Sequence, residues 1–146
     1  MNRSNSAPAR GFVLIEALVS IAIFSFALIG LVSLQSASVT AATDAKYRSD
    51  ASYLSSQIIG QIWSDRPNIL NYNHRNTGTP CLPGGAASTN PVVLSWLADV
   101  AATLPGATSS TQTLAVGAGN TITVVVCWKR KQDVDFHQQV TVAQIN

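Results

Sequence analysis

Apolar and polar positions divide the chain into regions of different period. From Phe12 to Leu34 there is no period: 23 residues carry a single charge, three serines and no proline. At 1.5 Å per residue that run is long enough to cross a hydrocarbon core of about 30 Å. The following stretch, "QSASVTAATDAKYRSDASYLSSQIIGQIW", keeps a helical period with a narrower stripe. Ala51, Leu54, Ile58 and Ile62 form one row, flanked by Ile59 and Trp63. Pro67 disfavours helical geometry at Arg66, so the helix is expected to run from Phe12 to about Ser64. Residues 65–90 are rich in Pro, Gly, Asn and Thr and read as loop. "PVVLSWLADVAATL" then predicts a short helix: Asn90 suits the N-cap, Pro91 the first turn, and Pro105–Gly106 the stop. Its buried face would hold Val93, Trp96, Leu97, Val100 and Leu104.

Beyond residue 110 the period drops to two. "TQTLAV" and "TITVVVCW", joined by "GAGN", predict a hairpin, and "FHQQVTVAQI" a third strand after the polar turn "KRKQDVD". Ile122, Val124, Val126 and Trp128 alternate with Thr123, Val125 and Cys127. No internal repeat is visible. The expected class is α+β: a long N-terminal membrane and stalk helix, its second half packed on a small antiparallel sheet. The corresponding divisions are a leader at 1–11, a transmembrane helix at 12–34, its amphipathic continuation at 35–66, and a head at 67–146.

Charge sharpens this picture at one end only. The net charge is +2, and Arg3 and Arg10 precede the apolar run, so the basic excess belongs to the leader. From Phe12 onward acids and bases balance, which argues against a general nucleic-acid binder. Basic residues before the run and none just after it place the N-terminus in the cytoplasm and the remainder outside it. The even pair Cys81 and Cys127 agrees with an oxidising compartment. A bridge between them would close a loop of about 47 residues, worth roughly 4 kcal/mol by chain entropy; two buried free thiols are the alternative.

One residue does not belong in the apolar run. Glu16 is the only glutamate in the chain, and the six other acids are aspartates outside residues 12–43. A carboxylate at the centre of a membrane helix costs about 2.5–3.5 kcal/mol on insertion scales. An interfacial acid favoured by the helix dipole is one account. The sharper account is a half-site, completed by a cation from another molecule.

"RGFVLIEALVSIAIFSFALIGL" resembles the prepilin signature of type IV pilins and type II secretion pseudopilins: a short basic leader ending in Gly11, then Phe12, then Glu16 at the fifth mature position. The resemblance implies a structural subunit, not an enzyme, with no cofactor. A membrane prepilin peptidase would cut between Gly11 and Phe12 and methylate the Phe12 amine. Glu16 would pair with the terminal amine of a neighbouring subunit during assembly. Leu34–Gln35, Arg48–Ser49 with Ala51, and Arg66–Asn68 are similar to the stalk of PilV-type minor pilins, and "VVVCWKR" with "HQQVTV" resembles their terminal strands. The absence of a proline before Pro67 within the helix tilts toward a minor subunit or pseudopilin. The implied partners are the peptidase, other minor pilins, the major pilin and the inner-membrane assembly platform. The implied location is the inner membrane with the head in the periplasm, then the filament, as a tip or priming subunit.

Four other readings compete, one of them a plain single-pass membrane anchor. A secretory signal peptide could be cut near "SASVTAA", but its apolar region would be about 7–15 residues and free of glutamate. A minor pseudopilin shares the N-terminal signature. A tip adhesin or DNA-binding subunit would need an exposed aromatic or basic patch, and "KRK" at Lys129–Lys131 is the only hint of one. "GAGN" at Gly117–Asn120 reads as a turn, lacking the third glycine of a phosphate loop. Asp133 and Asp135 fall short of an oxygen cage for calcium. His74 and His137 stand alone, with no nucleophile to assemble around them. No CxxC or paired-histidine spacing suggests a metal.

Overall fold

The computed structural model describes residues 10–145, the side chains of Arg10 and Gly11 excepted. The chain is α+β: helix α1 (Arg10–Ser64), strands β1 (Thr77–Thr79) and β2 (Leu82–Gly84), helix α2 (Pro91–Thr103), and strands β3 (Thr113–Val116), β4 (Thr121–Trp128) and β5 (His137–Gln144). Much of the leader expected at 1–11 lies outside the described residues, and α1 begins two positions before Phe12. No proline falls between Pro8 and Pro67 to prevent this. Two compact units divide at Thr43/Asp44.

The first unit is the apolar part of α1. Its described side chains are exposed almost throughout, with Phe12, Leu18, Phe26 and Leu34 each more than 60% accessible. The three serines do not interrupt it, because each hydroxyl donates to the carbonyl four residues earlier: Ser20 to Glu16, Ser25 to Ile21 and Ser33 to Ile29. Their polar groups are thereby satisfied without solvent. A helix of this length and composition is sufficient to cross a membrane.

The second unit starts at Asp44, so the last two-fifths of α1 belongs to the head. Ala51, Leu54, Ile58 and Ile62 are buried as one row. They meet Val93, Trp96, Leu97 and Val100 from α2 and Ile122, Val124, Val126 and Trp128 from β4 in a single core. Trp96 locks the helices together by donating its indole N–H to the Leu54 carbonyl at 2.9 Å, so its polar edge is satisfied inside the core. Asn90 caps α2 by accepting from the Val92 N–H at 2.9 Å. The far end of α2 is pinned where the Lys129 N–H donates to the Pro105 carbonyl. Gly106 sits there at φ +63°, and a Cβ would collide with the Lys129 carbonyl oxygen.

β3, β4 and β5 form an antiparallel sheet in that order. β4 pairs with β5 from Thr121↔Gln144 to Trp128↔His137 and with β3 from Thr113↔Val125 to Val116↔Ile122. The alternation along β4 is real, yet both of its faces are covered. Val125 and Cys127 are buried with Cys81 in a small second cluster behind the sheet.

Residues 65–90 are more ordered than the expected loop. Arg66–Tyr72 form 3₁₀ turns, with Pro67 near their start. Asp65 braces them, accepting from Asn68 Nδ2 at 2.8 Å and Tyr72 Oη at 3.0 Å. Burial and this acceptor push the Tyr72 phenol above its usual pKa. β1 and β2 then make a small hairpin, with Gly78 and Cys81 both at positive φ. Runs of three residues carry no readable period, which is why composition alone pointed to loop.

Candidate functional site

Phe12 and Glu16 are four residues apart on α1, so they lie on one face, one turn apart. Phe12 is 72% exposed, and Glu16 is exposed as well. Among the described side chains no basic group lies within ion-pair distance of Glu16. Among the described side chains the carboxylate therefore stands on an otherwise apolar helix surface. Gly11 and Phe12, the expected cleavage pair, lie in the first turn of α1. Chemically, such a face can accept a cation and hold it in fixed register.

The head carries the second expected feature. Cys81 and Cys127 form a disulfide, with an S–S distance of 2.08 Å and Cα atoms 5.5 Å apart. It ties the β1–β2 turn to the C-terminal end of the central strand β4. Cys127 is further held by a residue whose role sequence reasoning missed. Gln112 is fully buried just before β3, and its amide acts as a missing strand residue. Its Oε1 accepts from the Cys127 N–H at 2.7 Å and its Nε2 donates to the Cys127 carbonyl at 3.0 Å. Substituting Gln112→Leu leaves two buried backbone groups unsatisfied, at about 1–3 kcal/mol each. The expected loss of about 2–5 kcal/mol in urea unfolding, against less than about 1 for an exposed glutamine such as Gln132→Leu, checks this role.

His74, expected as a lone loop histidine, is also a buried strut. Its Nδ1 accepts from the Ser88 N–H at 3.1 Å, so Nε2 carries the proton and donates to the Ser109 carbonyl at 2.8 Å. His137 stacks on Trp128 at 5.7 Å and meets Asp133 Oδ2 at 3.0 Å. Among the described residues no hydroxyl or free thiol bonds to either ring to complete a nucleophilic triad.

The "KRK" triplet is not a continuous cationic patch. Arg130 is engaged by Asp44 of α1 and, in a forked pair, by Asp133. Lys129 donates to the Val134 carbonyl and lies 5.6 Å from the centre of the Phe136 ring. Lys131 alone of the three is exposed. Asp133, which with Asp135 falls short of a calcium cage, is thus a structural acid. The Arg130 side chain, followed by the Arg130 N–H and His137, holds its carboxyl at about 2, against partial burial that pulls the other way. Because that pKa is depressed in the fold, this contribution is fully present above about pH 4. It is expected to fade as pH falls from about 4 to about 2. An Asp133→Asn chain should show a flatter acid limb in a thermal-unfolding pH series; an unchanged limb would remove Asp133 from the account.

One concavity, about 420 Å³, lies among Asn71, Asn73, Ser88, Thr89 and Asn90 and has no titratable lining residue. A second, about 330 Å³, lies between Gln57, Gln61, Trp96 and Asp99 and has one carboxylate. Neither pairs an acid with a base. Among the described residues no three His, Cys, Asp or Glu side chains converge to hold a metal. Comparison with protein-family models, curated proteins and solved structures finds no match to the chain.

Proposed function

We propose that the chain is a minor pilin, a structural subunit of a type IV pilus that primes assembly or sits at the tip. Prepilin peptidase cuts between Gly11 and Phe12 and methylates the new amine. The helix from Phe12 to Leu34 anchors the subunit in the inner membrane with its head in the periplasm. It later carries the subunit into the filament, beside the major pilin and other minor pilins.

One observation carries this reading: an exposed carboxylate, Glu16, on an apolar helix face without a described partner. An unpaired charge in hydrocarbon is costly, whereas a hydrogen-bonded pair in low dielectric offsets much of that desolvation. The Phe12 amine of a neighbour is a cation of the right kind, within about one helical turn of Glu16 in membrane depth. Such a pair selects register more than raw affinity. The disulfide-pinned head suits a domain displayed outside the cytoplasm. No phosphate-binding loop is evident, so the assembly motor is another protein.

Co-sedimentation tests the proposal. An epitope-tagged chain should appear in filaments sheared from its native host, in small amounts beside the major subunit. Recovery only in the membrane fraction, with filaments present but free of the tag, would reject it.

A further inference from the structure

The two edges of the β3–β4–β5 sheet are treated very differently. The β3 edge is closed by the chain itself. His74 and Leu114 exchange backbone hydrogen bonds at 2.9 and 3.0 Å, and Asn73 Oδ1 accepts from the Val116 N–H at 2.9 Å. The β5 edge has no such cover: among the described residues no strand lies beyond it. It pairs with β4 over eight residues, one to one, without a bulge. "HQQVTVAQ" contains no lysine, arginine, acid, proline or glycine. Those are the devices that normally blunt an open edge.

Strand geometry identifies which groups are free. The Cys127 N–H and carbonyl face Gln112 on the β3 side, so the odd residues of β4 point toward β3 and the even ones toward β5. Across the register, His137, Gln139, Thr141 and Ala143 therefore bond to β4. Gln138, Val140, Val142 and Gln144 present their N–H and carbonyl groups outward, where the Val140 carbonyl accepts a long bond from its neighbour Gln139 Nε2 at 3.4 Å. Their side chains share the face of Val125 and Cys127, which the Cys81 segment covers over β4; on β5 itself Val140 is 45% and Val142 62% exposed.

The order of those side chains singles out the occupant. Around Thr141 the strand reads the same in both directions at the outward positions: Gln138 and Val140 on one side, Val142 and Gln144 on the other. We propose that the β5 edge pairs with β5 of a second copy, antiparallel about a two-fold axis at Thr141. That register sets Val140 against Val142 of the partner copy and Gln138 against its Gln144, with every outward backbone group matched. Two-folds at Val140 or Val142 set glutamine against valine. No charged side chain opposes another across the strand pair. The contact is isologous and uses up both edges, so it closes at a dimer instead of extending into a fibre.

The test uses the full chain in detergent, with Cys81 and Cys127 retained. Thr141 faces its own counterpart as a non-hydrogen-bonded pair, with Cβ atoms about 4.5–5.5 Å apart, close to disulfide reach. Thr141→Cys should therefore cross-link to a covalent dimer under mild oxidation. Gln138→Cys, about 20 Å from its counterpart in this register, should yield at least about tenfold less. Adding Val142→Lys to Thr141→Cys should cut the dimer yield at least about tenfold, because each lysine replaces a valine facing Val140 of the partner copy and lies diagonal to the other lysine, while the exposed site leaves the fold intact. An unchanged melting temperature in the lysine variant confirms that folding is not the cause. Equal cross-linking at positions 138 and 141, a dimer yield indifferent to Val142→Lys, or cross-linking of Thr141→Cys in native membranes to a different polypeptide in place of itself would each overturn the proposal.

Discussion

Glu16→Ala is expected to leave cleavage after Gly11 and membrane insertion intact while abolishing entry into filaments. Removing one member of a buried ion pair typically costs about 3–5 kcal/mol, because the other charge is stranded. On the function proposed above, the stranded group is the Phe12 amine of a neighbouring subunit. The expected fall in filament-associated chain is more than about a hundredfold at fixed membrane level. Glu16→Gln keeps the shape and hydrogen-bonding capacity but removes the charge, and should fail nearly as badly. Glu16→Asp keeps the charge on a shorter arm and should restore part of the signal. Quantifying tagged chain in sheared filaments against the membrane pool reads all three. Near-normal incorporation of the Gln variant would show that the carboxylate is an interfacial acid only, and the half-site account would fall.

The second large effect is expected in the head. Replacing both Cys81 and Cys127 by serine releases a loop of 46 residues' separation from the unfolded-state constraint. The chain-entropy treatment values this at about 4 kcal/mol. For a domain of this size, each kcal/mol moves the melting temperature by about 4–8 °C, so the drop should be roughly 15–30 °C. The loss should be cooperative, since Cys127 is buried and its backbone is also clamped by Gln112. Val125, packed with the cystine, would lose its cover at the same time. Scanning calorimetry of the detergent-solubilised chain, wild type against the double serine variant, measures it. A drop below about 3 °C would mean that β4 and the β1–β2 hairpin hold without the bridge.

Legibility in the sequence tracked the range of the interaction responsible. The row Ala51, Leu54, Ile58 and Ile62 and the face Val93, Trp96, Leu97 and Val100 were readable because burial repeats every three or four residues along one helix. β4 was readable at the same level from its period of two, as was the Asn90 cap from its place before Pro91. What period could not reveal was the second cover on β4. Val125 and Cys127 look like an outward face until the distant Cys81 segment folds over them. Gln112, His74 and the Asp44–Arg130–Asp133 pairing escaped for the same reason. Each satisfies a group 15 or more residues away or across a turn, and no local pattern announces a side chain that bonds to remote backbone. Arg130 and Asp133, three apart in the polar turn, were a faint signal of their pairing. The N-terminal site was the opposite case. Glu16 was conspicuous in sequence because it is the one charge in the apolar run, and the role proposed for it depends on a molecule outside the chain.

The most direct test of the central claim is the intact mass of the chain recovered from its native host, measured before and after reduction. The expected species begins at Phe12, carries the mass of one added methyl group at its terminus, and gains two hydrogens on reduction of Cys81–Cys127. A chain beginning near Thr40 would contradict the account, because the helix bearing Glu16 would then have been discarded as a signal peptide.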